Sequence, residues 1–259
     1  MKRRDLLQLL AGAMIASPYG VAAQTAARTY RLGTLTVGPP IPPDAGTGAI
    51  LIAGLAQRGF RLGENLVYQA RGAAGKVGQT SNLMQELKAA NVDVVVTVSY
   101  PAAAAAKASG VATVIASGSG DPVETGLVAS LARPGGNVTG ISDDAAALST
   151  KRLSLLKALS PELRRVAMLW NKDDLGMSQR YEASAKAAQR LGVTVQPLGV
   201  RQPDDFNEAF AAMDKEPPDA ILMSPTRSRS SIISACSITP SNTSCRPSMN
   251  RIFWRTTAA

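Results

Sequence analysis

VDVVVTVSYPAAAAAKASGVATVIAS, residues 92–117, is the stretch whose reading decides the fold. Its first seven residues are too short and too rich in valine and threonine for a helix, so they read as a central, buried strand. Pro101 then stands at a first helical position and is followed by alanine, the strongest helix former, up to Ser109. Residues 111–117 are apolar and β-branched again, which makes them the next strand. Strand, helix and strand in this order form a parallel unit with its crossover helix on one face.

The same alternation runs outward in both directions. Towards the N-terminus, strands are expected at 29–37 and 64–71. Helices are expected at 47–60 and 80–91, the latter capped by Thr80 or Ser81. Towards the C-terminus, helices are expected at 147–160, 178–192 and 203–215, and strands at 164–171, 193–200 and 218–224. The section 132–146, rich in glycine and proline, divides two α/β lobes, 28–140 and 141–223. No repeat of solenoid length is present. The fold class is therefore α/β, with two Rossmann-like lobes built on parallel sheets.

Charge and composition narrow the function. The chain of 259 residues carries a net charge of +9 and no histidine. Two of those charges come from residues 1–23 and five from the arginines of 224–259, which leaves two for the whole middle. A middle so close to neutral offers no broad footprint for nucleic acid, so no such partner is expected. The absence of histidine removes histidine acid–base chemistry and histidine metal ligation. No metal, cofactor or catalytic residue is expected.

The N-terminus reads as an export signal covering residues 1–23. Lys2-Arg3-Arg4 precedes an apolar run, Leu6 to Ala16, then Ser17-Pro18 and the small residues Val21-Ala22-Ala23. The run is too short to span a bilayer, which takes about 20 residues. Arg3-Arg4-Asp5-Leu6-Leu7 also resembles a twin-arginine signal, with Lys2 in place of the usual hydroxyl residue. A periplasmic protein exported by the Sec or twin-arginine route, and not embedded in the membrane, is the expectation.

In open parallel sheets ligands bind beyond the carboxyl ends of the strands. Those ends read Thr36-Val37-Gly38, Ser99-Tyr100-Pro101, Ser117-Gly118-Ser119-Gly120-Asp121, Asn171-Lys172-Asp173 and Met223-Ser224. Their small hydroxyl, amide and glycine groups, beside free N–H groups of helix starts, suit a carboxylate. Each is equally what a cap or turn would use. Asp121 opens the segment GDPVETGLVASLARPGGNVTG, residues 120–140, with no partner carboxylate, lysine or cysteine at motif spacing. The acidic pairs at 143–144, 173–174 and 204–205 read as solvated acids at helix starts. Met84, Met168 and Tyr181 read as packing residues.

VDVVVTVSYPAAAAAKA, GDPVETGLVASLARPGGNVTG, KRLSLLKALSPELRRVAMLWN and AAQRLGV together resemble the ABC-transporter substrate-binding proteins of the tryptophan/tyrosine type, over residues 29–223. The resemblance implies the type I periplasmic-binding-protein fold. It also implies a clamp that captures a small molecule, an amino acid or related carboxylate, for a membrane permease. On that reading the ligand contacts fall at Ser99, Pro101, Ala102, Ser117, Asp121 and Asn171. Asp121 either lines the cleft mouth or holds the loop. Leu127 to Leu131 packs the segment down, and Pro134-Gly135-Gly136 bends the chain towards the second lobe. The protein is expected to act as a monomer.

Beyond Met223 the pattern stops. Residues 224–259 are crowded with Ser, Thr and Arg and contain no Asp, Glu, Lys or Gly. One reading is a tail of low complexity, in which Cys236 and Cys245 could pair in an oxidising compartment. The other is a single-base frame change. One G/C-rich choice of codons, read in a shifted frame, gives a helix, an LP strand start and a glycine pair that resemble the family's continuation. That would leave the second lobe incomplete and the copy defective. A secreted α/β enzyme with a strand-end pocket around Asp121 is the alternative of a different class. A cytoplasmic sugar-sensing repressor of the same core would need a DNA-binding headpiece where this chain has an export signal.

Overall fold

Alternation of β-branched strands with alanine-rich helices produces two parallel sheets in the computed structural model, which describes residues 28–118, 120–142, 144–201 and 204–223. The first half runs β1 (Tyr30–Thr36), α1 (Gly46–Ala56), β2 (Leu66–Gly72), α2 (Thr80–Ala89), β3 (Val94–Val98), α3 (Tyr100–Ser109), β4 (Ala112–Ser117) and β5 (Val138–Gly140). The second runs α4 (Ala145–Leu159), β6 (Arg165–Asn171), α5 (Leu175–Arg190), β7 (Thr194–Val200), α6 (Asp205–Lys215) and β8 (Ala220–Met223). The first sheet has the order β2-β1-β3-β4-β5 and the second β7-β6-β8, every pair parallel.

In the first lobe Leu35 and Val95 meet Met84 and Leu87 of α2 and Ala102 and Ala106 of α3 in one core cluster. Full burial of a Leu, Val or Met side chain contributes about 1.5–3 kcal/mol. The alanines of α3 follow from crowding on two sides. Ala102 and Ala106 face α2, while Ala103 faces Ile115, Leu127, Val128 and Val138. The opposite face of the sheet carries the loop after β1 and then α1. Tyr68 hydroxyl donates to Ile41 carbonyl at 2.8 Å, Thr36 hydroxyl to Pro39 carbonyl at 3.1 Å, and Gly48 abuts Pro42 with no space for a side chain. The second lobe is layered the same way. Leu153, Leu156, Ala187 and Ala188 cover Val166 and Met168 on one face, and Phe206 and Ala209 cover Ala167, Leu169 and Leu198 on the other.

Four local expectations change. The cap placed at Thr80 or Ser81 is displaced because a 3₁₀ turn, Val77–Gln79, runs straight into α2. Gln79 takes the cap position, and Thr80 hydroxyl bonds back to Val77 carbonyl at 2.8 Å. Pro134-Gly135-Gly136 does not lead to the second lobe. Pro134 carbonyl accepts from Ala129 N–H at 2.9 Å, Gly135 takes φ +74°, and the chain turns back to add β5 beside β4. Of the apolar patch, Leu127 and Val128 are buried but Leu131 is 68% exposed. Asp174, read as a solvated acid, is buried at 3% exposure. The export signal, Cys236 and Cys245, the frame-change reading and the completeness of the second lobe concern residues outside those described.

Candidate functional site

Both strand orders reverse direction at a defined point: between β1 and β3 in the first sheet, and between β6 and β8 in the second. A crevice opens beyond the carboxyl ends of the strands at such a switch point. Ser99, just after β3, and Asn171, at the end of β6, occupy these places.

Ser99 has φ +86° and ψ +156°, a region that is essentially glycine's alone and costs about 1–3 kcal/mol for other residues. Its N–H donates to Ser117 carbonyl at 3.0 Å and its carbonyl accepts from Ala103 N–H at 3.2 Å, so the strain is fixed by neighbours on both sides. Its hydroxyl caps nothing and is buried without a hydrogen-bond partner, as is the Thr97 hydroxyl two residues earlier. Buried polar groups rarely stay unpaired, and two in succession at a strand end mark a place built for a polar guest. α3 starts directly after Ser99. Pro101 brings no N–H, which leaves the Tyr100 and Ala102 amides of its first turn without intrahelical acceptors.

The structure therefore brings Ser99, Pro101, Ala102 and Ser117 together at the β3–β4 ends. Ser117 is exposed, whereas Ala102 is fully buried and turns its methyl into the core. Asp121 lies one loop away. Its carboxylate accepts from Val123 and Glu124 N–H at 2.8 and 3.0 Å, and its carbonyl accepts from Thr125 N–H and hydroxyl. These bonds build the 121–125 turn, so its carboxylate is engaged within its own loop. Asn171 stands in the other lobe. Its side-chain oxygen accepts from Asp173 N–H at 2.9 Å, shaping the turn into α5.

Asp174 caps α5 by accepting from Met177 N–H at 3.2 Å. Burial pushes its pKa up to about 6, against the opposing pull of the Met177 N–H, the Arg180 charge and the Gly176 N–H. The lobes touch where Gln179 of α5 accepts from Asp121 N–H at 3.1 Å and donates to Glu124 carboxylate at 3.3 Å.

A cavity of about 690 Å³ opens between the lobes further along the crevice. The first lobe lines it with the turn from Ala74 to Gly78, and the second with Lys172, Asp173, Gly199, Arg201 and Glu208 among others. None of Ser99, Pro101, Ala102, Ser117, Asp121 or Asn171 lines it. Its walls are the carboxyl ends of β2 and β7. The strand-end rule applied at Gly72 and Arg201 would have found them, as it found Lys172 and Asp173. Arg201 guanidinium Nε holds Asp173 at 2.9 Å and Arg201 N–H holds Asp205 at 2.6 Å, fixing the second lobe's side of the wall. Among the described residues no helix is long and apolar enough to cross a membrane.

Comparison with known proteins follows the same lines. A family model described as ABC transporter substrate binding protein matches residues 46–244, running past the Met223 at which the resemblance read from the sequence ends. The tyrosine-binding protein of Clostridioides difficile (strain R20291) is 27% identical over 163 residues, 62% of this chain and 47% of that protein. The chain thus spans about half the length of this curated relative. Among solved structures, an ABC domain in complex with L-Trp from Streptococcus pneumoniae superposes with a TM-score of 0.68 at 23% identity, covering 82% of this chain and 71% of that one. A conserved domain protein from Vibrio cholerae gives 0.68 at 23% identity, covering 81% and 69%. A periplasmic binding protein from Burkholderia mallei gives 0.54 at 12% identity, covering 82% and 57%. The family consists of substrate-binding proteins, which decides against the enzyme reading around Asp121. The chain belongs to the ABC transporter substrate-binding protein family and has the type I periplasmic-binding-protein fold.

Proposed function

We propose that the protein is the solute-capturing component of an ABC importer. In this reading residues 28–140 and 141–223 act as two jaws, close on an amino acid or related carboxylate, and present it to a membrane permease. Ser99, Pro101, Ala102, Ser117 and Asn171 form the grip, and Asp121 holds the wall beside it. The protein works in the periplasm as a monomer after loss of residues 1–23.

The observation that carries the reading is Ser99: a strained serine with a buried, unpartnered hydroxyl at the switch point of its sheet. Backbone strain of this kind persists only where the surroundings over-determine it, and it concentrates at ligand clamps. A carboxylate seated there would accept from the hydroxyl and from the first-turn amides of α3, whose dipole favours negative charge. Affinity would come from closure, because each lobe alone covers only part of a guest.

Calorimetry and thermal shift with an amino-acid panel test this on the full chain. The expected result is a raised melting temperature for at least one member, lost in the Ser99→Ala/Asn171→Ala double variant. Unchanged binding in that variant would remove the grip from this place. Small-angle scattering should show a smaller radius with ligand than without it.

A further inference from the structure

The relatives named above carry aromatic amino acids in their descriptions, yet no aromatic side chain lines the interlobe cavity. The ring closest to it in the chain, Trp170, is engaged inside its own lobe. It stacks on Tyr181 with centroids 3.8 Å apart and planes 5° from parallel, and Gly199 lies over it, where an added Cβ would come within 3.2 Å of the indole. What faces the cavity instead is charge.

Six charged residues line it: Lys76, Lys172, Arg201, Asp173, Asp205 and Glu208. Arg201 bonds Asp173 through its side chain and Asp205 through its N–H. Lys76, Lys172 and Glu208 have no ion-pair partner among the described residues. Lys76 comes from the first lobe, and Lys172 and Glu208 come from the second. Two ammonium groups and one carboxylate are thus left facing a space that both lobes enclose. Charges that are weak contacts in open water strengthen when closure removes solvent between them.

A guest that answers this set carries two carboxylates and one ammonium. Resting on the capture reading above, we infer that the ligand is an acidic α-amino acid whose second carboxylate sits in this cavity between Lys76 and Lys172. β2 and β3 flank β1, so their ends lie about 10 Å apart. One carboxylate at Ser99 and the other at the lysines therefore belong to one elongated ligand lying along the crevice. The turn that supplies Lys76 permits this approach because Ala74 and Gly75 both take positive φ, +48° and +89°, which carries the chain across the mouth of the crevice. Arg201, held by two acids, is a fixed wall and not a free ligand-binding cation.

The test is a comparison of isosteres on the full chain by titration calorimetry: L-glutamate and L-aspartate against L-glutamine and L-asparagine, with L-tyrosine and L-tryptophan alongside. Each acid differs from its amide by one charge at nearly constant shape. The expected preference for one acid over its amide is roughly tenfold at low salt, narrowing as salt rises. The Lys76→Ala/Lys172→Ala variant should bring that ratio to about one while leaving amide binding unchanged. An amide or an aromatic amino acid binding as tightly as the acids, or a preference that survives the double lysine change, overturns the inference and leaves solute capture standing. Binding of none of the six overturns the inference and removes the amino-acid part of the capture reading with it.

Discussion

Gly120 of the first lobe lies against Gly176 and Gln179 of the second so closely that a Cβ would sit 2.6 Å from Gly176 Cα and 2.5 Å from Gln179 Oε1. Two glycine backbones meeting across the lobes, with one glutamine bridging Asp121 N–H and the Glu124 carboxylate, define how near the lobes can come on this side of the crevice. The approach depends on the missing side chain, and Gly120 also has φ +72°.

Gly120→Ala should therefore force this contact open. Strain at positive φ and the collision with Gly176 together should cost about 1–3 kcal/mol, read from the midpoint of urea unfolding. Gln179→Ala should cost about 1 kcal/mol, the net worth of a hydrogen bond. On the Gln179→Ala background the Gly120→Ala penalty should shrink, since one of its two collisions is gone. Additive penalties would mean that the two residues do not meet.

Ser99 gives the opposite sign. Ser99→Gly relieves a backbone conformation that serine tolerates poorly, at φ +86° and ψ +156°. The relief outweighs the extra chain entropy of glycine, about 0.5–1 kcal/mol, so the variant should be more stable by up to about 2 kcal/mol. It should at the same time bind ligand more weakly, having lost the hydroxyl. Greater stability with weaker capture is the signature of strain kept for function. A variant that loses stability would show that the serine hydroxyl, for all its lack of a partner in the fold, supports the strand end.

Tyr68 holds the loop after β1. Its hydroxyl lies 3.1 Å from Thr34 hydroxyl and donates to Ile41 carbonyl, and burial pushes its pKa up. Tyr68→Phe leaves that carbonyl and the Thr34 hydroxyl short of a partner, at a cost of about 1–3 kcal/mol. Hydrogen exchange should report it locally, with the amides of Ile41 and its neighbours exchanging faster while those of β6 and β7 do not change.

What could be read from the sequence was what local chemistry decides. Val94–Val98 could only be a strand, and Pro101 followed by alanine could only start a helix, so the parallel layers and the grip residues at Ser99 and Ser117 followed. β5 was not legible because its three residues sit among glycine and proline, and its pairing comes from the tight approach of Gly140 to the Ile115 backbone. The charged cavity was not legible for a different reason. Its walls come from residues as far apart as Ala74 and Ala209, and only the placement of one lobe beside the other joins them. The burial of Asp174 is likewise tertiary: three acidic pairs look alike in sequence, and only this residue is carried inside by the packing of α5.

Asp174 supplies the last prediction, because its environment opposes its charge. Its folded pKa of about 6 lies above its ordinary value of 3.8, chiefly through burial. Between those values the folded protein retains a proton that the unfolded chain has released, so stability falls as pH rises through this window. The full loss, about 3 kcal/mol by the size of the shift, persists above pH 6. Asp93 acts in a separate window. Hydrogen bonds from Arg31 N–H and Arg28 hold its pKa below 3.8, so its contribution is lost only as pH falls below that value. Asp174→Asn keeps an oxygen for the Met177 N–H and removes the charge. Urea unfolding followed between about pH 5 and pH 7.5 should show the unmodified protein losing stability on the way up and the variant holding level. At the upper end the variant should be the more stable of the two. A variant that unfolds more readily at about pH 7.5 would show that the carboxylate's attraction to Arg180 outweighs its burial.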